Sequence, residues 1–219
     1  MRRGALAPVA LLALSACGTN RPKIPEELLR NPAGSSAGGC STPDYPEGPY
    51  GDHAGTVAAD VCFQGFRTPT RTPHTEASLE NVSLGNYFDP TGEKYEVLLV
   101  NTAAVWCSVC KTEHRSLPGH YTELAPRGLA IVSALFQNNA GKPAEFSDLK
   151  TWVEAYDVPF PMVLDPDYQL GSYASAETAP LNLVIDARTM QIMDKFIGNQ
   201  SEDLWQLIED TLAEREGSE

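Results

Sequence analysis

The sequence predicts a mixed α/β sandwich, one sheet between helical layers, preceded by an N-terminal arm rich in proline and glycine. Three observations carry this. Short apolar runs of strand length, such as Val97-Leu98-Leu99-Val100, alternate with segments whose apolar residues recur at helical spacing. The tetrapeptide Cys107-Ser108-Val109-Cys110 stands where such a run hands over to a helix. After the arm come about 140 residues, enough for one well-buried core.

Arg2 and Arg3 precede the apolar stretch Ala5 to Ala16, and Leu14-Ser15-Ala16-Cys17 closes it. A basic start, a short apolar run and small residues before a break describe a secretory signal over 1–16. The run is too short to span a bilayer, which takes about 20 residues. Leu14-Ser15-Ala16-Cys17 resembles the bacterial lipobox, whose cysteine is lipidated and becomes the first residue of the mature chain. The plainer reading is secretion with Cys17 discarded or free. The resemblance implies a lipid anchor at Cys17 and a place in the bacterial cell envelope facing the periplasm. Gly18 is not the aspartate of an inner-membrane retention signal, which favours the outer membrane.

Gly18 to Pro73 holds 16 of the chain's 17 Gly and 17 Pro, a density that argues against regular structure. Residues 17–39 read as a flexible tether. Residues 40–75 carry Tyr45, Tyr50, Val57, Val61, Phe63 and Phe66, which suggests an arm that packs on the following domain, 76–216.

Within that domain, Glu96 to Asn101 is a buried strand by length and composition. A helix runs from about Cys107 to Leu124, broken by Pro126-Arg127-Gly128, and Leu129 to Phe136 is a second buried strand. Gln137 to Phe146 reads as a loop. Ser147 caps a helix whose apolar stripe is Leu149, Trp152, Val153 and Tyr156. Met162 to Leu164 is a short strand and Asp167 to Ala174 a short helix. Leu181 to Asp186 and Gln191 to Ile197 form a hairpin around Ala187-Arg188-Thr189. Ser201 caps a last helix with Glu202 and Asp203 in its first turn, where the dipole favours acids.

Two thiols separated by two residues close into a disulfide when a helix start brings them together. The unpaired N–H groups and positive dipole end there also stabilise a thiolate, the species that attacks disulfides. Strand, Cys-x-x-Cys, helix is therefore a dithiol redox centre, and Cys107 lies at the carboxyl end of a strand, where α/β sheets place chemistry. Cys107, at the outer end of the helix start, is the expected nucleophile, and Cys110 the resolving thiol. The blander readings are half a zinc site or two buried thiols. A four-cysteine zinc site wants a second closely spaced pair, and the sequence has none. Cys40 and Cys62 remain, and in an exported chain a structural disulfide fits them best, although a second redox pair feeding Cys107 is also open. The net charge of −13 argues against nucleic acid or anionic lipid as partners.

Val100-Asn101 through Trp106-Cys107-Ser108-Val109-Cys110-Lys111-Thr112-Glu113, with Pro118, resembles the thioredoxin-like, membrane-anchored disulfide reductases of the TlpA and redoxin group. The resemblance covers about Leu79 to Leu212. It implies a thioredoxin-like three-layer sandwich with a central mixed sheet, and a thiol–disulfide oxidoreductase working as a protein disulfide reductase. Its substrate would be a periplasmic protein disulfide or thiol, with an upstream electron donor. The redox-active disulfide Cys107–Cys110 would be the sole cofactor, with no metal. Pro180, after Thr178-Ala179, matches the family's cis-proline, which lies against the disulfide; by itself it would be read as a trans proline opening a strand. Glu113 matches the family's acidic residue and would assist proton transfer near Cys110, where spacing alone reads it as a solvated helix residue. Trp106 would cover the site or merely pack. Asn101 stands where thioredoxin has a buried aspartate, so proton handling falls to another group or to water. The chain departs from the family at Thr102-Ala103, usually Phe-Trp, and at Ser108-Val109, usually containing proline. Residues between the cysteines tune the reduction potential, so the direction of electron flow stays open.

Two other activities compete. Cys107, Cys110 and His114 would suit Cu(I) in a copper-carrying redoxin, although His114 is otherwise an exposed helix residue. Val109-Cys110-Lys111-Thr112-Glu113 faintly resembles the peroxiredoxin segment, with Cys110 as the peroxide-reactive thiol of a thiol peroxidase.

Overall fold

The computed structural model describes residues 40, 42–174, 179–198 and 201–217. The signal segment 1–16, the anchor cysteine Cys17, the tether 17–39 and Thr178 lie outside the described residues.

Seven strands form one mixed sheet: β1 (Cys62–Phe66), β2 (Glu80–Ser83), β3 (Val97–Ala104), β4 (Leu129–Gln137), β5 (Met162–Leu164), β6 (Leu181–Asp186) and β7 (Ile192–Ile197). Their order is β2-β1-β5-β4-β3-β6-β7. β3, β4 and β5 run parallel, and the remaining pairs are antiparallel. β3 is buried along its whole length and β4 along all but its last residue, because both faces of the sheet are covered there, as the largely apolar runs in the sequence require.

Three helices cover one face: α1 (Ser108–Leu124), α2 (Phe146–Tyr156) and α3 (Ser201–Glu216). Leu117 and Leu124, then Leu149, Trp152 and Val153, then Leu204, Ile208 and Leu212 join Val97, Leu99, Leu129 and Ile131 in one core. The reason is handedness. The crossovers β3-α1-β4 and β4-α2-β5 step across the sheet in one direction, and right-handed connections then put both helices on one side. The third layer is therefore not the second set of α-helices that the alternation suggested. It is the arm, with Tyr45, Val57 and Val61, together with short 3₁₀ turns at Leu84–Tyr87 and Gln169–Tyr173, packed on Leu98, Val100 and Val132.

The arm also supplies regular structure that its Gly and Pro content argued against. β1 joins the sheet between β2 and β5, and Gly65 permits the close approach: a Cβ there would collide with the Met162 carbonyl and Val163. Cys40 and Cys62 are disulfide-bonded with their Cα atoms 5.8 Å apart. Local boundaries differ as well. α2 is capped by Glu145, whose N–H donates to Asp148 at 3.0 Å, so Ser147 lies inside the helix. Ser201 is likewise already helical. Asp167 to Ala174 holds a 3₁₀ turn, with Asp165 accepting the N–H groups of Gln169 and Leu170. α1 ends through Ala125–Arg127 at Gly128, whose φ of 102° suits a residue without a Cβ.

Candidate active site

β3 delivers the chain to Cys107, which is the N-cap of α1, and Cys110 lies in the first turn. The two are disulfide-bonded, with Cα atoms 5.3 Å apart. Sγ of Cys107 accepts the N–H of Cys110 at 3.0 Å, the place a Ser or Asp side chain usually fills at a helix start. That N–H and the dipole of α1 both favour negative charge on this sulfur once the disulfide opens. Cys107 is 4% exposed and Cys110 fully buried, so the outer sulfur is the accessible one.

Two strands away in the chain, Ala179 and Pro180 come to the same place. The peptide bond between them is cis, and the Ala179 carbonyl oxygen lies 3.5 Å from Sγ of Cys107. Thr102, where the family usually has an aromatic residue, holds this segment: its Oγ1 accepts the N–H of Leu181 at 3.0 Å. Trp106 is the exposed large apolar side chain among the described residues, at 44%. Its indole N–H donates to Gln137 at 3.0 Å and its ring meets Phe136 edge-on.

A row of polar residues crosses the sheet under α1. Register pairs Asn101 of β3 with Ser133 of β4 and with Asn182 of β6, so three polar side chains stand side by side. All three are buried. Glu113 of α1 comes down on them: Asn101 Nδ2 donates to Oε2 and Asn182 Nδ2 to Oε1, each at 2.7 Å. Glu113 is thus held in the interior rather than solvated. Burial pushes its carboxyl from 4.5 up to about 7, with the two amide donors pulling the other way.

His114 is the main correction to the sequence reading. It is not an exposed helix residue but fully buried, packed against Trp152 and Tyr156 of α2. Its Nδ1 lies 3.0 Å from the Cys110 carbonyl oxygen and its Nε2 3.0 Å from Ser133 Oγ. Both ring nitrogens are turned to those oxygens, so the copper set of two sulfurs and an imidazole is not assembled. Burial pushes the imidazole from 6.5 down to about 4, against the pull of the Cys110 carbonyl. The sequence does not point to Ser133 and Asn182 as site residues, and it offers His114 only as a copper ligand. The signal was there, a polar residue inside an apolar run in Leu129-Ala130-Ile131-Val132-Ser133 and in Leu181-Asn182-Leu183, but register is needed to join them.

The AhpC/TSA family model matches residues 62–195. Among curated proteins, the chain is similar to the thiol:disulfide interchange protein DsbE of Vibrio cholerae, 29% identical over 136 residues, covering 59% of this chain and 68% of that protein. The DsbE protein of Pseudomonas fluorescens biotype C is 28% identical over 144 residues, 65% of this chain and 68% of that one. Among solved structures, a putative DsbE from Chlorobium tepidum superposes with a TM-score of 0.56 at 18% identity, covering 73% of this chain and 97% of that one, a likeness of fold.

Proposed function

The chain belongs to the AhpC/TSA family and is a thiol–disulfide oxidoreductase of thioredoxin-like fold, and we propose that it is an envelope-facing protein disulfide reductase, lipid-anchored at Cys17. Its redox group is the Cys107–Cys110 dithiol, and the reading assigns no metal or other cofactor. The arrangement of Cys107 at the start of α1, with the Ala179 carbonyl beside its sulfur and Glu113 buried one turn further along the same helix from Cys110, is the observation that carries the reading.

In the reduced enzyme the Cys107 thiolate attacks one sulfur of a substrate disulfide. A bond forms from Cys107 to that sulfur, and the other substrate sulfur leaves with the electron pair and takes up a proton. The backbone at Ala179 and Pro180 seats the substrate chain beside the mixed disulfide, and Trp106 offers an apolar surface next to it. Cys110 then gives its proton to Glu113 and attacks Cys107; the Cys107–Cys110 bond closes, and the second substrate sulfur leaves with the electron pair and takes up a proton from water. Two electrons have passed from enzyme to substrate. A carboxyl near 7 is matched to a proton exchanged at neutral pH. An upstream electron donor of the envelope restores the dithiol.

The proposed attachment is the lipid on Cys17; among the described residues no helix is long and apolar enough to cross a membrane. The outer membrane is the proposed location, since Gly18 follows Cys17. Against the peroxidase reading, the peroxiredoxin segment carries a peroxide-orienting threonine three residues before its cysteine, where this chain has Cys107, and Cys110 is fully buried.

Reduction of insulin-type disulfides by the reduced full chain tests the activity. Activity is expected to vanish in Cys107→Ser, and a Cys110→Ser variant is expected to accumulate mixed disulfides with envelope proteins. Peroxide consumption that persists in Cys107→Ser, with no disulfide reduction in the wild type, would replace this reading with the peroxidase one. Metabolic labelling with a fatty acid, lost in Cys17→Ala, tests the anchor.

A further inference from the structure

Glu113 is the end of a longer hydrogen-bonded chain, and its direction follows from counting hydrogens. Asn101 Nδ2 has two, one on Glu113 at 2.7 Å and one on Asn182 Oδ1 at 2.8 Å. Asn101 Oδ1 therefore accepts, from the hydroxyl of Ser133 at 2.7 Å. With its one hydrogen committed, Ser133 Oγ accepts in turn from Nε2 of His114 at 3.0 Å. Yet Nδ1 of the same ring faces the Cys110 carbonyl oxygen, also at 3.0 Å. A neutral imidazole has one N–H and here meets two acceptors.

The two placements of that hydrogen differ at the far end of the chain. On Nε2, it makes every dipole from His114 to Asn101 point toward Glu113, the arrangement a buried carboxylate favours. The Cys110 carbonyl loses little, because it lies within α1 and is served by the helix itself. On Nδ1, it leaves Nε2 to accept from Ser133, and Asn101 Oδ1 then has no donor. The amide is free to turn its carbonyl toward a protonated Glu113, whose O–H donates to it.

We propose that Ser133 and His114 are positioning residues for the exchange: a change of His114 tautomer, passed through Ser133 and Asn101, follows and reinforces the charge on Glu113. The relay ties the proton acceptor of Cys110 to the backbone carbonyl of Cys110 itself. This rests on Glu113 as that acceptor. The imidazole is faced by Trp152 and Tyr156 of α2, Ser133 of β4 and the Cys110 carbonyl of α1. Tyr156 is the titratable side chain among these, and burial raises its phenol, so it stays neutral. Glu113 is faced by Asn101 of β3 and Asn182 of β6, both uncharged. Burial also keeps His114 neutral while Glu113 titrates, as a tautomer change requires.

NMR of the oxidised full chain, labelled with ¹³C and ¹⁵N, tests this from mildly acidic to mildly alkaline pH. As the Glu113 carboxyl titrates, the two His114 ring nitrogens are expected to exchange their protonated and unprotonated shifts, without reaching the imidazolium pattern. Ser133→Ala is expected to abolish the exchange and raise the Glu113 midpoint by about half a pH unit or more. His114→Phe removes the competing acceptor on Ser133, so the midpoint is expected not to rise. Ring shifts that stay constant through the Glu113 titration overturn the proposal, as does an imidazolium in that range, an unmoved midpoint in Ser133→Ala, or a rise in His114→Phe. The wild-type ring titration decides even if neither variant folds. Enzymatic turnover is not read, so failure of the reductase reading would leave these results standing, and a flat ring titration in an active reductase removes the relay alone.

Discussion

Glu113→Gln separates two opposed pH effects in one buried cluster. In the fold Glu113 keeps its proton up to about 7, whereas its ordinary value is 4.5. Between those values the native state binds one more proton than the unfolded chain, so its contribution to stability falls as pH rises and is gone above about 7. At about 1.36 kcal/mol per pH unit, the gap amounts to about 3 kcal/mol. His114 acts in the other direction. It stays neutral in the fold down to about 4, against an ordinary 6.5, so its contribution is complete above 6.5 and is lost as pH falls toward 4. The two slopes cancel over their shared range, and these two groups leave the wild-type curve nearly flat there. In Glu113→Gln the first slope is absent, and stability is expected to rise by about 3 kcal/mol from pH 4 to 6.5. Glutamine keeps the volume and does not titrate, so the cost of its altered hydrogen bonds, about 1 kcal/mol, is the same at every pH of the series. Urea unfolding of the oxidised protein across a pH series, followed by tryptophan fluorescence, measures the difference. Parallel wild-type and variant curves would refute the assignment of the proton to Glu113.

Cys107→Ser is expected to lower disulfide reduction more than about a thousandfold, in the turnover assay with insulin. Replacing Cys40 and Cys62 together with serine is expected to cost about 3 kcal/mol through the entropy of closing their loop, read by urea unfolding, with reductase activity retained. If activity disappears while the fold persists, the pair is a second redox centre. Glu96 is buried beneath a two-pronged contact from Arg188, at 2.8 and 2.5 Å. Arg188→Met leaves that carboxylate without its main partner and is expected to destabilise by about 3 kcal/mol, measured as a lower urea midpoint. Gly128→Ala combines a φ of 102° with a Cβ only 2.9 Å from Glu96 Cγ, and a loss of about 1–3 kcal/mol in the same assay is expected.

Much of the fold was legible because its signals are local. The apolar runs at Val97 and Leu129 are strands, and the stripe Leu149, Trp152, Val153, Tyr156 is a helix, because each period belongs to one element. β1 was hidden because Cys62 to Phe66 is short and sits among turn-forming residues, and the strand that ties it into the main sheet, β5, lies far along the chain. Ser147 and Ser201 misled as caps because any serine near a helix start carries that signal, and the backbone alone decides which residue is last outside the helix.

The dithiol is already legible in the linear chain: two cysteines three apart at a helix start meet within one helical turn, whatever the remaining residues do. The acid beside them required the tertiary structure. Glu113 and His114 follow each other on α1 and look like surface residues, and Asn101, Ser133 and Asn182 are scattered over more than eighty positions. Pleating turns alternate side chains to one face, and pairing sets which of them become neighbours. That register depends on every strand at once, so only the assembled sheet could bring three buried polar groups under one carboxyl and hold its proton near neutrality.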